Sequence, residues 1–273
     1  MFKSFSKPRK DGVKKMAKVK EVGARDRAKY SKIHKSLNQN ISNGSHVDST
    51  FFSQIVTIKV GREGRTFAAH ADILSVSSFF AAILRESEST VTERRIDLLD
   101  EEPEILSCVL EYLYVGVLKK GDYHPRLIKN KLKGSWYLEN TNENSVTRKI
   151  FIRGHGKILR DTVIYCAAEK YGLEELKNLA LRKQALQRGI EVAMIIRSAR
   201  YAYENTAISD PRLRSYFLSL IIRCRKIFKK SGTMQIEMET GGKFFFDLFV
   251  ALCNHIDNKK VKRNDLYLHE TNT

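Results

Sequence analysis

The stretch IVTIKVGREGRTFAAHADILSVSSFF, residues 55–80, changes its hydrophobic period part-way along, and that change constrains the fold more than any other feature of the chain. Val56, Ile58 and Val60 alternate with Thr57 and Lys59, the period-2 pattern of a strand with one buried face. Gly61-Arg62-Glu63-Gly64 supplies a short glycine-bearing turn, and residues 65–69 return as a second strand. From Ala71 the period is helical. Ile73, Leu74, Ser77, Phe80, Ala81 and Leu84 follow it, divided into two short helices around Ser77-Ser78.

Downstream, Arg95-Ile96-Asp97-Leu98 reads as a third strand. Glu102-Pro103 opens a helix, because proline is tolerated where its missing N–H would be unpaired anyway. Ile105, Val109, Tyr112 and Leu113 form its apolar face, and Gly116 is the expected stop. Residues 117–157 then break the pattern, with ten Lys/Arg against three acids and the low-complexity run ENTNENS. They read as an exposed insertion, with Trp136, the sole tryptophan, packed against the adjoining domain.

Helical signal resumes with Ile164, Ala167, Ala168 and Tyr171 on one face and Gly172 as C-cap. Leu173, Leu176 and Ala180 follow, then Val192, Ile195, Ile196, Ala199 and Tyr203. Asp210-Pro211 offers an N-cap with proline in the first turn of a helix bearing Leu213, Phe217, Leu220, Ile221, Cys224 and Phe228. A last helix begins near Gly242, with Phe245, Leu248, Phe249, Leu252 and Ile256 inward. The order predicts an α+β fold: a three-stranded sheet flanked by a cluster of helices, then an all-helical extension.

Charge is unevenly spread. Of a formal +18, residues 1–35 carry a net +10. Residues 1–48 lack a sustained apolar period and read as a disordered basic tail. Cys108, Cys166, Cys224 and Cys253 show no metal or disulfide spacing, and each falls on a predicted buried helix face, which suits a reducing compartment. No apolar run is long enough for a membrane span, and the start lacks the apolar segment of a secretory signal.

The residue pattern nominates no reaction, and the chain reads as a non-enzyme without cofactors. The glycines fit neither phosphate-binding fingerprint, and the seven histidines are scattered singly. The acids at 97, 100, 101, 102 and 104 flank a helix N-terminus, where negative charge is stabilising. His70, alone among apolar residues, reads as a mostly buried structural residue paired with backbone or a nearby polar group.

Phe67, His70, Leu74, Ser77, Phe79 and Phe80, followed by Ile96, Leu98, Pro103, Tyr112, Tyr114 and Gly116, resemble the signature of the BTB/POZ domain in order and spacing. VIYCAAEKYGLEELKNLA is similar to the two helices that complete the domain in fungal members, and the later helices resemble the C-terminal extension of that group. The resemblance implies a protein–protein interaction module that self-associates and serves as an adaptor or scaffold. It places Gln54 where many members carry an Asp in the dimer pocket, and it marks Leu84 and Glu86 as a candidate cullin contact. The expected organisation is a tail at 1–48, a BTB/POZ domain at 49–186 containing the insertion, a helical extension at 187–258 and a basic, polar tail at 259–273.

Lys7, Arg9, Lys10, Lys14 and Lys15, with Lys259, Lys260, Lys262 and Arg263, form short basic clusters of the kind import receptors bind. They predict a nuclear or nucleocytoplasmic protein. With few aromatics among them, any nucleic-acid contact is expected to be nonspecific and salt-dependent. Expected partners are other proteins, a second copy in a homodimer and an import receptor, with no membrane. The two alternatives are a nuclear nucleic-acid-associated regulator and a substrate adaptor of a cullin ubiquitin ligase.

Overall fold

The period-2 run forms strand β1, Ile55–Val60, in the computed structural model, which describes residues 54–86, 94–118, 120–130, 133–139 and 149–270 (backbone alone at 118, 237 and 259–270). The chain turns through Gly61 and Gly64, both at positive φ, into β2, Arg65–His70. At Gly61 the Pro103 ring would lie 3.3 Å from any added Cβ, so turn geometry and a close approach both favour glycine. β1 and β2 are antiparallel, with Val56 opposite Ala69 and Ile58 opposite Phe67. β3, Arg95–Leu98, runs parallel on the other side of β1 and sets Ile96 against Ile58 and Leu98 against Val60.

One face of this sheet buries Val56, Ile58, Val60, Ala69, Ile96 and Leu98, while Ile55, Thr57, Arg95 and Asp97 face water. Each buried Val, Ile or Leu contributes roughly 1.5–3 kcal/mol. A one-residue slip would turn the whole set outward, so burial fixes the register. The helices laid on the sheet are α1, Ala71–Leu74, α2, Ser78–Glu86, and α3, Pro103–Leu118. Gly116 does not stop α3. It is buried inside the helix, which runs one half-turn further because Val117 also packs into the core.

Next in the core are α4, Arg160–Lys170, and α5, Glu174–Leu186, packed side by side. α4 ends as its sequence predicts. Gly172 takes φ +67°, Leu173 donates to the Ala168 carbonyl and Gly172 to that of Glu169, the paired bonds of a Schellman cap. α6, Val192–Asn205, packs on α4, and α7, Arg212–Arg223, packs on α6. A four-residue α8, Arg225–Phe228, and α9, Gly232–Thr240, lead to α10, Lys243–Glu270, which lies along α6 and α7.

Several expectations are corrected. The basic stretch 117–157 is not merely an exposed insertion. Its described residues form two antiparallel hairpins, β4 (Leu127–Lys129) with β5 (Trp136–Leu138) and β6 (Lys149–Ile152) with β7 (Gly156–Leu159). Tyr123 and Ile150 from this stretch, and Ile158 just beyond it, are buried; with so few apolar residues per strand, no period was readable. Trp136 stays 42% exposed, with its ring between Lys129 and Arg182 of α5. Asp210 lies one residue before the cap position, which Pro211 holds, and bonds the Arg212 N–H instead. α9 was not anticipated. α10 runs on through the segment expected as a polar tail, and Phe249 and Ile256 face outward. Cys108 and Cys166 are buried, but Cys224 and Cys253 only partly.

One ammonium ties the start of this basic stretch to the helices. Lys183 of α5 is fully buried, 2.6 Å from the Asp122 carboxylate, and donates to the carbonyls of Tyr123 and Pro125. It lies 3.6 Å from the centre of the Tyr123 ring. Burial pulls Lys183 below its ordinary range, against the opposing pull of Asp122. Asp122 in turn accepts the backbone N–H groups of Tyr123 and Leu127, so the loop is folded around the pair. Removing one member of a buried pair strands the other, at about 3–5 kcal/mol. Lys183→Met is therefore expected to lower unfolding stability by about that amount in urea titrations; a loss under about 1 kcal/mol would show that the pair does not hold the loop.

Candidate functional site

The signature residues converge at two junctions. At the first, β2 ends in His70 and the chain turns directly into α1. Tyr114, on α3, faces that turn. Its hydroxyl accepts the His70 backbone N–H at 3.0 Å and lies 2.8 Å from His70 Nδ1. The rings meet edge-on with centroids 6.0 Å apart. His70 is half-buried, less enclosed than its sequence context suggested, but its polar partner is a side chain of the same signature. Tyr114→Phe removes both bonds and is expected to cost about 1–3 kcal/mol in thermal or chemical unfolding, at roughly 0.5–1.5 kcal/mol each; no change would mean the pair is incidental.

At the second junction, Ser77 is fully buried between α1 and α2 and donates to the Tyr171 carbonyl at 2.7 Å, while its oxygen accepts the Phe80 N–H. Phe80 stacks on Tyr171 with centroids 5.0 Å apart, and Phe79 closes on the same ring at 5.3 Å. A Cβ on Gly172 would stand 2.2 Å from Ser78 Oγ, so α2 approaches the end of α4 as closely as glycine permits. Ser-Ser-Phe-Phe and Tyr-Gly, more than ninety positions apart, thus form one packed joint. Leu74 and Tyr112 are buried, and Phe67 and Pro103 partly so.

Residues predicted to contact partners are divided. Gln54 is exposed, its backbone carbonyl holding the Ala71 N–H across the hairpin, and Ile55 beside it is 61% exposed. Leu84 lies in the core on the inner face of α2, with only Glu86 at the surface, so the two do not form a surface pair. The helical period carries them to different sides. Lys7, Arg9, Lys10, Lys14 and Lys15 lie outside the described residues. Lys259, Lys260, Lys262 and Arg263 lie on the backbone of α10.

Sequence reasoning missed a charged clamp that fastens α7 to α4 and α5. Asp210 accepts the Tyr165 hydroxyl at 2.6 Å, Lys177 Nζ at 2.5 Å and the Arg212 guanidinium at 2.8 Å. Arg212 reaches on to Glu174 at 2.5 Å and Asn178 at 2.9 Å. Burial alone would raise the Asp210 pKa, but the bonds from Arg212, Lys177 and Tyr165 outweigh it and hold the carboxyl well below the usual range. The sequence signal was only an Asp-Pro dipeptide, which reads as a cap. With its folded pKa depressed, Asp210 stabilises the fold above the unfolded value of about 4, and that contribution fades as pH falls below it. Asp210→Asn is expected to cost about 2–3 kcal/mol at pH 7 and progressively less below pH 4. A pH-independent deficit in unfolding titrations would contradict the clamp.

Within this cluster Asp210, Lys177, Arg212 and Tyr165 are taken up by one another. Burial pushes the Cys108 thiol up to about 11 and raises Cys166 further, which suits packing rather than reactivity. Among the described residues no group of three or more His, Cys, Asp or Glu converges on a metal-sized site, and no helix is long and apolar enough to cross a membrane.

Residues 46–130 match the model of the BTB/POZ domain family. The match spans β1–β3 and α1–α3 and ends just after β4. No curated protein matches the chain. The chain carries a BTB/POZ domain, built on the β2-β1-β3 sheet and followed by a helical region. Domains of this family are in general interaction modules rather than enzymes, which supports a scaffold or adaptor role.

Proposed function

From the BTB/POZ domain at residues 46–130 as premise, we propose that the chain is a self-associating adaptor that joins proteins in the nucleus or nucleocytoplasm. The observation that carries this reading is how the matched segment uses its polar atoms. His70 and Tyr114 satisfy each other, and Ser77 is spent on Tyr171 and Phe80. Apolar Ile55 and Leu99, 61% and 50% exposed, remain outward at the strand ends. Such groups bind by shape and burial.

The basic clusters at residues 7–15 and 259–263 favour an import receptor as one partner. The nucleic-acid reading rests on the same charges, with the BTB/POZ domain assembling two basic arms. Retention on a DNA or RNA column that survives deletion of residues 1–48 would remove the N-terminal arms from that reading. The cullin-adaptor reading is weakened by the burial of Leu84, and a purified cullin is expected to give no complex at micromolar concentration.

Light scattering of the purified full chain is expected to give twice the 31.4 kDa protomer mass at micromolar concentration. A monomeric mass throughout that range would overturn self-association.

A further inference from the structure

α10 is apolar around roughly two thirds of its circumference between Phe244 and Ile256. Only one part of that arc is used. Phe244, Phe245 and Leu248 are buried against the body of the protein, with Leu252 partly so. The other part, Phe246, Phe249, Val250, Cys253 and Ile256, falls at three- and four-residue spacing on the outer side. Phe246 and Phe249 are 67% and 66% exposed, and Val250 and Ile256 are also in the open. A helix with so wide an apolar arc is built to be covered on two sides. The stripe is about 15 Å long, the reach of three helical turns.

Charge selects what covers it. Residues 212–263 hold twelve Lys/Arg against four Asp/Glu. Beyond Val250 the surface passes through Asn254 to the groove between α7 and α10, which Arg223, Arg225 and His255 line. Past Ile256 the same helix continues into Lys259-Lys260-Val261-Lys262-Arg263. A second copy would bring the same basic surround, and residues 1–35 of this chain carry a net +10, so both meet like charge. The polar side of α10 is not the lysine-rich face of a membrane-surface helix, since it carries Asp247, Asn254, Asp257 and Asn258.

We propose that the outer stripe of α10 is a docking site for an acidic amphipathic helix of a partner protein, its apolar face on Phe246, Phe249, Val250 and Ile256 and its carboxylates toward Arg223 and Arg225. The site lies outside residues 46–130 and does not depend on the adaptor reading of that domain.

The test uses the full chain and three fluorescein-labelled synthetic peptides of about 18 residues, followed by anisotropy. One carries Leu at helical a and d positions with Glu elsewhere, the second carries Lys in place of Glu, and the third scrambles the first. The first is expected to bind at micromolar concentration, about tenfold or more tighter than the other two. Phe246→Ser with Phe249→Ser should weaken it about tenfold, and Arg223→Glu with Arg225→Glu should weaken it and flatten its salt dependence. All four substituted side chains are exposed, so thermal midpoints should not move. Equal binding of the acidic and scrambled peptides, or indifference to the Phe substitutions, would overturn the proposal. So would a dimer that the Phe substitutions alone convert to monomer, which would assign the stripe to a second copy. Loss of sedimentation with anionic vesicles in the same variants, without peptide binding, would assign it to a membrane surface.

Discussion

Helix α4 carries Arg160 and Asp161 into an enclosed position, and much of the fold is arranged to satisfy them. The first nine of its residues are buried, so that stretch has no solvent side on which to place charge. A charge taken out of water is costly unless partnered. Asp161 receives the Tyr123 hydroxyl at 2.8 Å and the Gln187 amide at 2.5 Å. Arg160 donates to the His124 carbonyl at 2.5 Å and approaches Glu104 of α3 at 3.6 Å. Thr162, one position on, donates to Gln184 at 2.5 Å. These partners come from α3, α5 and the loop before β4, so a single helix N-terminus gathers elements from three parts of the chain.

The same logic explains why the loop at 121–126 is ordered by its surroundings. Lys183 enters from α5, neutralises Asp122 and takes up two loop carbonyls that no strand could pair. At the other end of α4 and α5, Asp210 plays the matching part for α7. The molecule is therefore held in two ways. The sheet and α1–α3 cohere by apolar burial with few polar contacts, as at Ser77 and His70–Tyr114. The later elements are fastened to α4 and α5 by saturated ionic clamps at either end. Burial tolerates conservative exchange, whereas a clamp fails when one member is removed.

This division tracks how well each part could be read in advance. The sheet, the two-helix break at Ser77-Ser78 and the C-cap at Gly172 were legible because each is set by local spacing or by a residue type with one conformational use. The signature around His70 was legible as a pattern, and the structure supplied its meaning as a bond to Tyr114. The hairpins within 117–157, the helix through Gly116, the outward turn of Phe249 and Ile256 and the clamp at Asp210 were not. In each case the deciding partner lies far along the chain: Lys183 is some sixty positions from Tyr123, and Asp210 is 45 from Tyr165.

By itself, then, the sequence determined the fold class and the basic character of the chain, because period, turn chemistry and net charge are properties of neighbouring residues, and the order of its signature residues marked the BTB/POZ segment by resemblance. Only the tertiary structure decided which charges are buried and by whom they are satisfied, that Leu84 is core and not surface, and that half of the apolar arc of α10 is left open. Period shows which face of an element is apolar, but what covers that face depends on what else arrives at the same place in space.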